Sequence, residues 1–320
     1  MSVRKLNPDD LNGKWVDSHV HTVGTDLTHF MFNKYPTAHS IVDMKNKAKM
    51  VGVDYFVSLT MPSTIYYNYS HYWSTGQLKG SGYGNFPFEY ENRYMLECIL
   101  SLNITNALPF LSFSLQYKIS EQENNLIELI ESYNVYGLKY HTIADQKKAS
   151  SIMTDSNILC IAEKYNLPLL IHAGIDELSD PCNIYMLAKQ NPTIRFCVAH
   201  VGDFSSSFID MTSAMPLRNL FIDSGPLMAK CMKISSDKSM KTGRIDIDYS
   251  NPYSVFNEIY KMFPDSLLWS SDEPWTIHGK LGDDKDILGV EYEKEATLYS
   301  TCEFKNALSQ NVKRYLFGVK

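Results

Sequence analysis

Short apolar runs that turn polar at their C-terminal ends recur along this chain of 320 residues. They are KWVDSHVH (14–21), DYFVSLT (54–60), NALPFLSF (106–113), VYGLKYH (135–141), LPLLIHAG (167–174), RFCVAHVG (195–202), LFIDSG (220–225) and SLLWSSDEP (266–274). Segments with helical spacing of apolar positions lie between them, among them IVDMKNKAKMV, EYENRYMLECILSL, ENNLIELIESY, SNILCIAEKY and NPYSVFNEIYKMF. Strands alternating with helices imply βαβ units and a parallel sheet. Eight such units predict an α/β fold closed as a (β/α)8 TIM barrel, with a doubly wound open sheet as the other arrangement. No internal repeat, low-complexity tract or linker divides the chain, so residues 1–320 read as a single domain.

The polar strand ends carry His19 and His21, Lys139 and His141, His172, His200, Asp223 and Asp272. Barrel enzymes draw catalytic groups from the C-terminal ends of several strands. Strand alternation then assigns faces. Tyr136, Leu138 and Tyr140 share a face suited to packing under helices, and Lys139 and His141 share the inward one. The same parity groups His172 with Leu170, His200 with Val198, and Asp272 with Leu268 and Ser270. Asp17, His19 and His21 are expected to point one way, their Cα atoms about 6.5–7 Å apart, so that two imidazoles converge on one ion. Each histidine alone reads more readily as a hydrogen-bonded core residue. Their coincidence at several strand ends is what points to a site.

These elements, in order, resemble the metal-dependent amidohydrolase superfamily, in its amidohydrolase-2 branch of hydrolases and decarboxylases. Asp17-Ser18-His19-Val20-His21 matches the D-x-H-x-H of strand one, and Gly137-Leu138-Lys139 resembles the G-x-K of strand four. His172 in LLIHAG and His200 in CVAHVG match the histidines of strands five and six. Ser270-Ser271-Asp272-Glu273-Pro274 resembles the G-S-D-x-P of strand eight, and residues 311–317 resemble the closing helix. The chain departs from the pattern at Asp203, where a second glycine is common, and at Ser270, which replaces a glycine.

The resemblance implies that His19, His21, His172 and Asp272 surround one divalent metal, zinc first, with manganese or iron(II) as alternatives. Asp272 would both bind the ion and accept a proton from water, and His200 would act as general acid/base or oxyanion donor. Asp17 reads as a supporting or structural residue behind His19. Lys139 either stays an ammonium holding a substrate carboxylate or, as in some binuclear relatives, is carboxylated and bridges two metals. The implied activity is hydrolysis of an amide, lactam or lactone bond of a small molecule by metal-activated water. Non-oxidative decarboxylation is the alternative within the family. A metal-free barrel kept for binding or scaffolding is the alternative outside it, opposed by the presence of every expected ligand.

Composition adds limits. The chain is 44% hydrophobic and 21% charged, ordinary for a globular protein with a sizeable core. Its net charge of −6, without a dense Lys/Arg stripe, argues against nucleic acid as a partner. No apolar stretch has the length to span a bilayer, and MSVRKLNPDDLNG lacks a signal-peptide core. The six cysteines form no CxxC pair and read as reduced thiols, so a cytoplasmic location is expected. Among 21 tyrosines, several crowd residues 64–88, with Tyr66, Tyr67, Tyr69, His71, Tyr72 and Trp73. This segment is expected to be a lid, Tyr72 and Trp73 joining Lys139 and His141 in substrate binding, or else an interface in a homo-oligomer. The long segment after strand seven offers Lys and Arg to an anionic group.

Overall fold

In the computed structural model, residues 4–22, 40–60, 66–68, 71, 74–274, 277–278, 288–289 and 291–318 are described. Eight strands form one parallel sheet in chain order: β1 Val16–His21, β2 Tyr55–Leu59, β3 Ala107–Phe113, β4 Gly137–Tyr140, β5 Leu169–Ile171, β6 Phe196–Val198, β7 Leu220–Asp223 and β8 Leu267–Leu268. Ser18 N donates to Trp269 O at 3.2 Å, Asp272 N to His19 O at 2.9 Å, and His21 N to Glu273 O at 2.8 Å. These bonds join the two ends of the sheet, and the TIM barrel expected from the eight repeats is the fold. The strands occupy the predicted places with shorter ends.

Parallel strands covered on both sides need apolar residues on both sides. One layer, between sheet and helices, includes Val20, Phe56, Leu138, Tyr140, Ile171, Val198 and Ile222. The other fills the barrel with Val57, Leu59, Phe110, Leu170, Cys197, Phe221 and Leu268. Gly137 is required by this filling, because a Cβ there would lie 2.4 Å from the Phe110 ring. The terminal helix Lys305–Phe317 stops the lower end with Tyr315, whose ring centroid is 5.3 Å from that of Phe221.

Three facing assignments from strict alternation need correction. The β1–β2 register shifts between Asp17 and Val20, and Val16 packs in the barrel filling while Val20 packs under the helices. The irregularity puts Asp17 on the face opposite His19, where it accepts from Ser271 N at 3.0 Å and from His19 N at 3.3 Å. Val198 packs outward while Cys197 and Ala199 pack inward, so His200 is not inward by strand parity. The chain instead turns at His200 into a left-handed run, φ being 62° there and 54–60° from Val201 to Phe204. Tyr136 precedes β4 and joins the barrel filling near the lower end, its hydroxyl accepting from Leu6 N at 2.7 Å.

Candidate metal centre

His19 and His21 end β1 on the inward face, and hydrogen bonds fix both rings. His19 Nδ1 lies 2.9 Å from Asp223 Oδ2, and His21 Nδ1 lies 2.8 Å from the Thr60 carbonyl. Each acceptor places the ring proton on Nδ1 and leaves Nε2 with a bare lone pair. The two Nε2 atoms face each other at 3.2 Å. Asp272 Oδ1 stands 3.2 Å from the first and 3.7 Å from the second. An ion held tetrahedrally at about 2.0–2.1 Å would space its ligand atoms about 3.3–3.4 Å apart.

This cluster sets three acceptors against one another. Asp272 Oδ1 is buried and has no hydrogen-bond partner among the described residues. Buried polar atoms are normally satisfied, so this one calls for a cation. Lys139 Nζ comes within 3.1 Å of His19 Nε2. His19, His21 and Asp272 therefore fit a divalent ion, and nitrogen plus carboxylate donors suit zinc.

The remaining site histidines form an adjoining group. His200 Nε2 lies 3.2 Å from His172 Nδ1, and the His172 ring stacks on His141 with centroids 4.0 Å apart. His172 thus reaches the Asp272 cluster through His200, whose Nδ1 donates to Gly225 O and lies 3.7 Å from Asp272 Oδ2. His141 also caps the short helix Thr142–Asp145, its Nδ1 accepting from Ala144 N at 3.2 Å. Tyr72 and Trp73 lie outside the described residues.

Asp223 is the residue whose role sequence reasoning missed. One oxygen serves His19; the other accepts from His200 N at 3.0 Å, Ser270 Oγ at 3.0 Å and Gly225 N at 3.2 Å. It orients both histidine segments at once. Its polar position closing an apolar strand was the available signal. Ser270, a departure from the resemblance, supplies a hydroxyl to this carboxylate.

Burial sets the charges. It pushes the pKa values of His19, His21, His141, His172 and His200 down, His21 to about 3, and so keeps the rings neutral for coordination. It also lowers Lys139 to about 8, against the pull of Asp272 and Asp223. Burial raises Asp272 well above the carboxylate range, and Lys139 and Lys230 oppose it. Beside this cluster opens a cavity of about 330 Å³, lined in part by His21, His141, His172, His200 and Asp272. Its size suits a small molecule.

Solved structures share this barrel. A probable 2-pyrone-4,6-dicarboxylic acid hydrolase from Acinetobacter baumannii, with citric acid bound, has a TM-score of 0.58 at 16% identity, over 96% of this chain and 100% of that one. An amidohydrolase from Burkholderia multivorans with bound zinc has a TM-score of 0.60 at 10% identity, over 96% and 100% of the two chains. 4-Oxalomesaconate hydratase from Rhodopseudomonas palustris has a TM-score of 0.57 at 14% identity, over 95% of each chain. The structural neighbours are amidohydrolase-family proteins, and at these identities the likeness is one of fold. No protein-family model matches the chain, and no curated protein matches it.

Proposed function

We propose that this chain is a metal-dependent hydrolase that cleaves an amide, lactam or lactone bond of a small molecule. The observation that carries the reading is the convergence of two imidazole Nε2 atoms and an unpartnered carboxylate oxygen beside a cavity. His19, His21 and Asp272 would hold the ion, with His172 approaching from the His200 side. A divalent ion supplies Lewis acidity and lowers the pKa of water to about 7.

The chain's own groups do the rest. Asp272 presents two different oxygens: Oδ1 towards the β1 histidines, and Oδ2 towards His200. The first can stay on the ion while the second accepts a proton from water. His200 Nε2, bare because Nδ1 donates to Gly225 O, faces the His172 ring nitrogen. The proton that Asp272 takes from water then goes to the departing nitrogen or oxygen, relayed through these two imidazoles, which end neutral as they began. Asp223 keeps His19 in the tautomer this requires and holds the His200 backbone amide in place, and Lys139 adds a cation behind them. The solved structures of shared fold, one with zinc bound, support the reading.

The test is metal analysis of the purified protein followed by turnover of a panel of lactones, lactams and amides. About one equivalent of divalent ion per chain and bond hydrolysis without CO2 release are expected. Release of CO2 from an aromatic or enoic acid, with the esters and amides untouched, would replace hydrolysis by decarboxylation. Full turnover after removal of the ion would sink both.

A further inference from the structure

We infer that Lys230, Lys233 and Arg244 form an anion subsite in this cavity, so that the substrate of the proposed hydrolase carries a carboxylate beside the bond to be cleaved. The inference rests on the hydrolase reading for the word substrate, but the subsite itself stands on separate residues.

Lys230 and Lys233 belong to the helix Leu227–Ser236, and their spacing of three puts them on one face. Both line the cavity, as does Arg244 from the following segment. Lys230 Nζ lies 2.8 Å from Asp203 Oδ1, and the Arg244 guanidinium binds the other oxygen of the same carboxylate. One carboxylate is thus shared by two cations. Lys233 is exposed and has no side-chain partner among the described residues. With Asp272 committed to the ion, the rest of the lining keeps a surplus of positive charge.

Arg244 carries the second observation. Its side chain is only 4% exposed, and its Nε is buried without a hydrogen-bond partner among the described residues. One Nη donates to Met240 O and the other to Asp203, so what the guanidinium offers an acid in the cavity is its fixed charge and the second N–H of each Nη. The guanidinium fork is also rigidly placed. Ser206 N donates to Gly243 O at 2.9 Å, and Ile245 N to Phe204 O at 3.0 Å, so backbone bonds clamp Arg244 from both sides. Ile234 and Met240 line the same cavity and favour a hydrocarbon body over a bare inorganic anion.

The experiment uses the zinc-loaded chain and three probes of known charge: glutarate, its neutral analogue glutaramide, and inorganic phosphate. Calorimetric titration should show glutarate binding at least tenfold more tightly than glutaramide. Lys230→Gln and Lys233→Gln should each weaken glutarate by about tenfold, leaving zinc content and glutaramide binding unchanged. Arg244→Lys is the companion variant, since it keeps the charge that Asp203 needs for folding while removing the fork; it too should weaken glutarate. Equal affinity for glutarate and glutaramide would overturn the inference. So would unchanged glutarate affinity in all three variants with binding lost only in a His19/His21 double variant, which would put the carboxylate on the ion. Phosphate binding more tightly than glutarate would overturn the carboxylate. Should the wild-type chain hold no ion yet still select glutarate, the hydrolase reading fails and the subsite survives.

Discussion

Two residues of the centre can be tested by substitutions that barely change shape. Asp272→Asn keeps an oxygen for the ion and removes the basicity of its partner oxygen. Turnover should fall by at least about 10²-fold, the usual cost of lost general-base assistance. Ion content, measured in the same sample, should fall less than in His19→Ala with His21→Ala. Near-normal turnover with the ion in place would move the proton acceptor to His200. Lys139 gives an outcome of opposite sign. An ammonium 3.1 Å from a coordinating nitrogen repels the ion, so Lys139→Met should tighten zinc binding in a competition assay with a chelator. Weaker binding in that variant would instead show that the lysine reaches the ion as a carbamate. The histidines were legible in the sequence because each stands at the polar end of an apolar run. Asp223 was visible only as a position, since its four partners come from β1, the segment after β6, the turn after β7 and the segment after β8.

At the scale of elements, alternation predicted the eight strands but failed where the backbone leaves the strand. The bulge in β1 turned Asp17 away from the cavity, and the left-handed run from His200 to Phe204 turned His200 towards it. Neither has a signature in residue type: Val201 and Phe204 are poor choices for positive φ, which costs non-glycine residues about 1–2 kcal/mol each. The run persists because Asp223 holds its first amide and Asp203 ties it to Lys230 and Arg244. Burial opposes the Asp203 charge, yet those two cations hold its pKa below the usual carboxylate value. Asp203→Asn would leave two largely buried cations facing each other, and should cost about 3 kcal/mol or more in denaturant unfolding. A loss below about 0.5 kcal/mol, the range of ordinary surface substitutions, would show that the run is held by its backbone bonds alone.

The helix Leu227–Ser236 has an element-scale pH dependence of its own. Glu295, from the helix Tyr292–Thr301, accepts Leu227 N at 2.6 Å and Met228 N at 3.2 Å with one oxygen. It is fully buried, and burial raises its pKa to about 8 although both amides pull it down. The folded chain therefore holds this proton more tightly than the unfolded chain does. Its contribution is fully present below the unfolded value, near 4.5, and is lost as pH rises through about 8. Melting temperature of the wild type should fall between about pH 5 and pH 8 more steeply than that of Glu295→Gln. Parallel curves would show that Glu295 keeps an ordinary pKa.

For the whole molecule, the Tyr-rich segment 64–88 decides between a lid and an interface. Its described part is tied down: Tyr67 pairs with Gly80 in a backbone bridge, and its hydroxyl lies 2.8 Å from Ser114 Oγ. Replacing residues 68–79 with a short Gly-Ser turn should raise KM for the best panel substrate more than it lowers Tm. If chromatography with light scattering shows a dimer falling to monomer at unchanged kinetics, the segment is an interface. Barrel, strand order and the inward histidines of β1 were readable because they follow from periodicity. The cavity wall was readable only as a long basic segment, since nothing local tells which of its cations meet.

The bonds that join β1 to β8 have a consequence for folding. Asp272 N donates to His19 O across that junction, so the donor atoms from the two ends of the chain meet only when the last strand docks on the first. Contacts of such sequence separation form late and at high entropic cost. An ion that needs all three donors binds the closed state and neither the unfolded chain nor a seven-stranded intermediate, so it acts as a rivet at the joint. Zinc added during refolding should leave early collapse unchanged and slow unfolding. It should raise Tm with concentration as mass action requires.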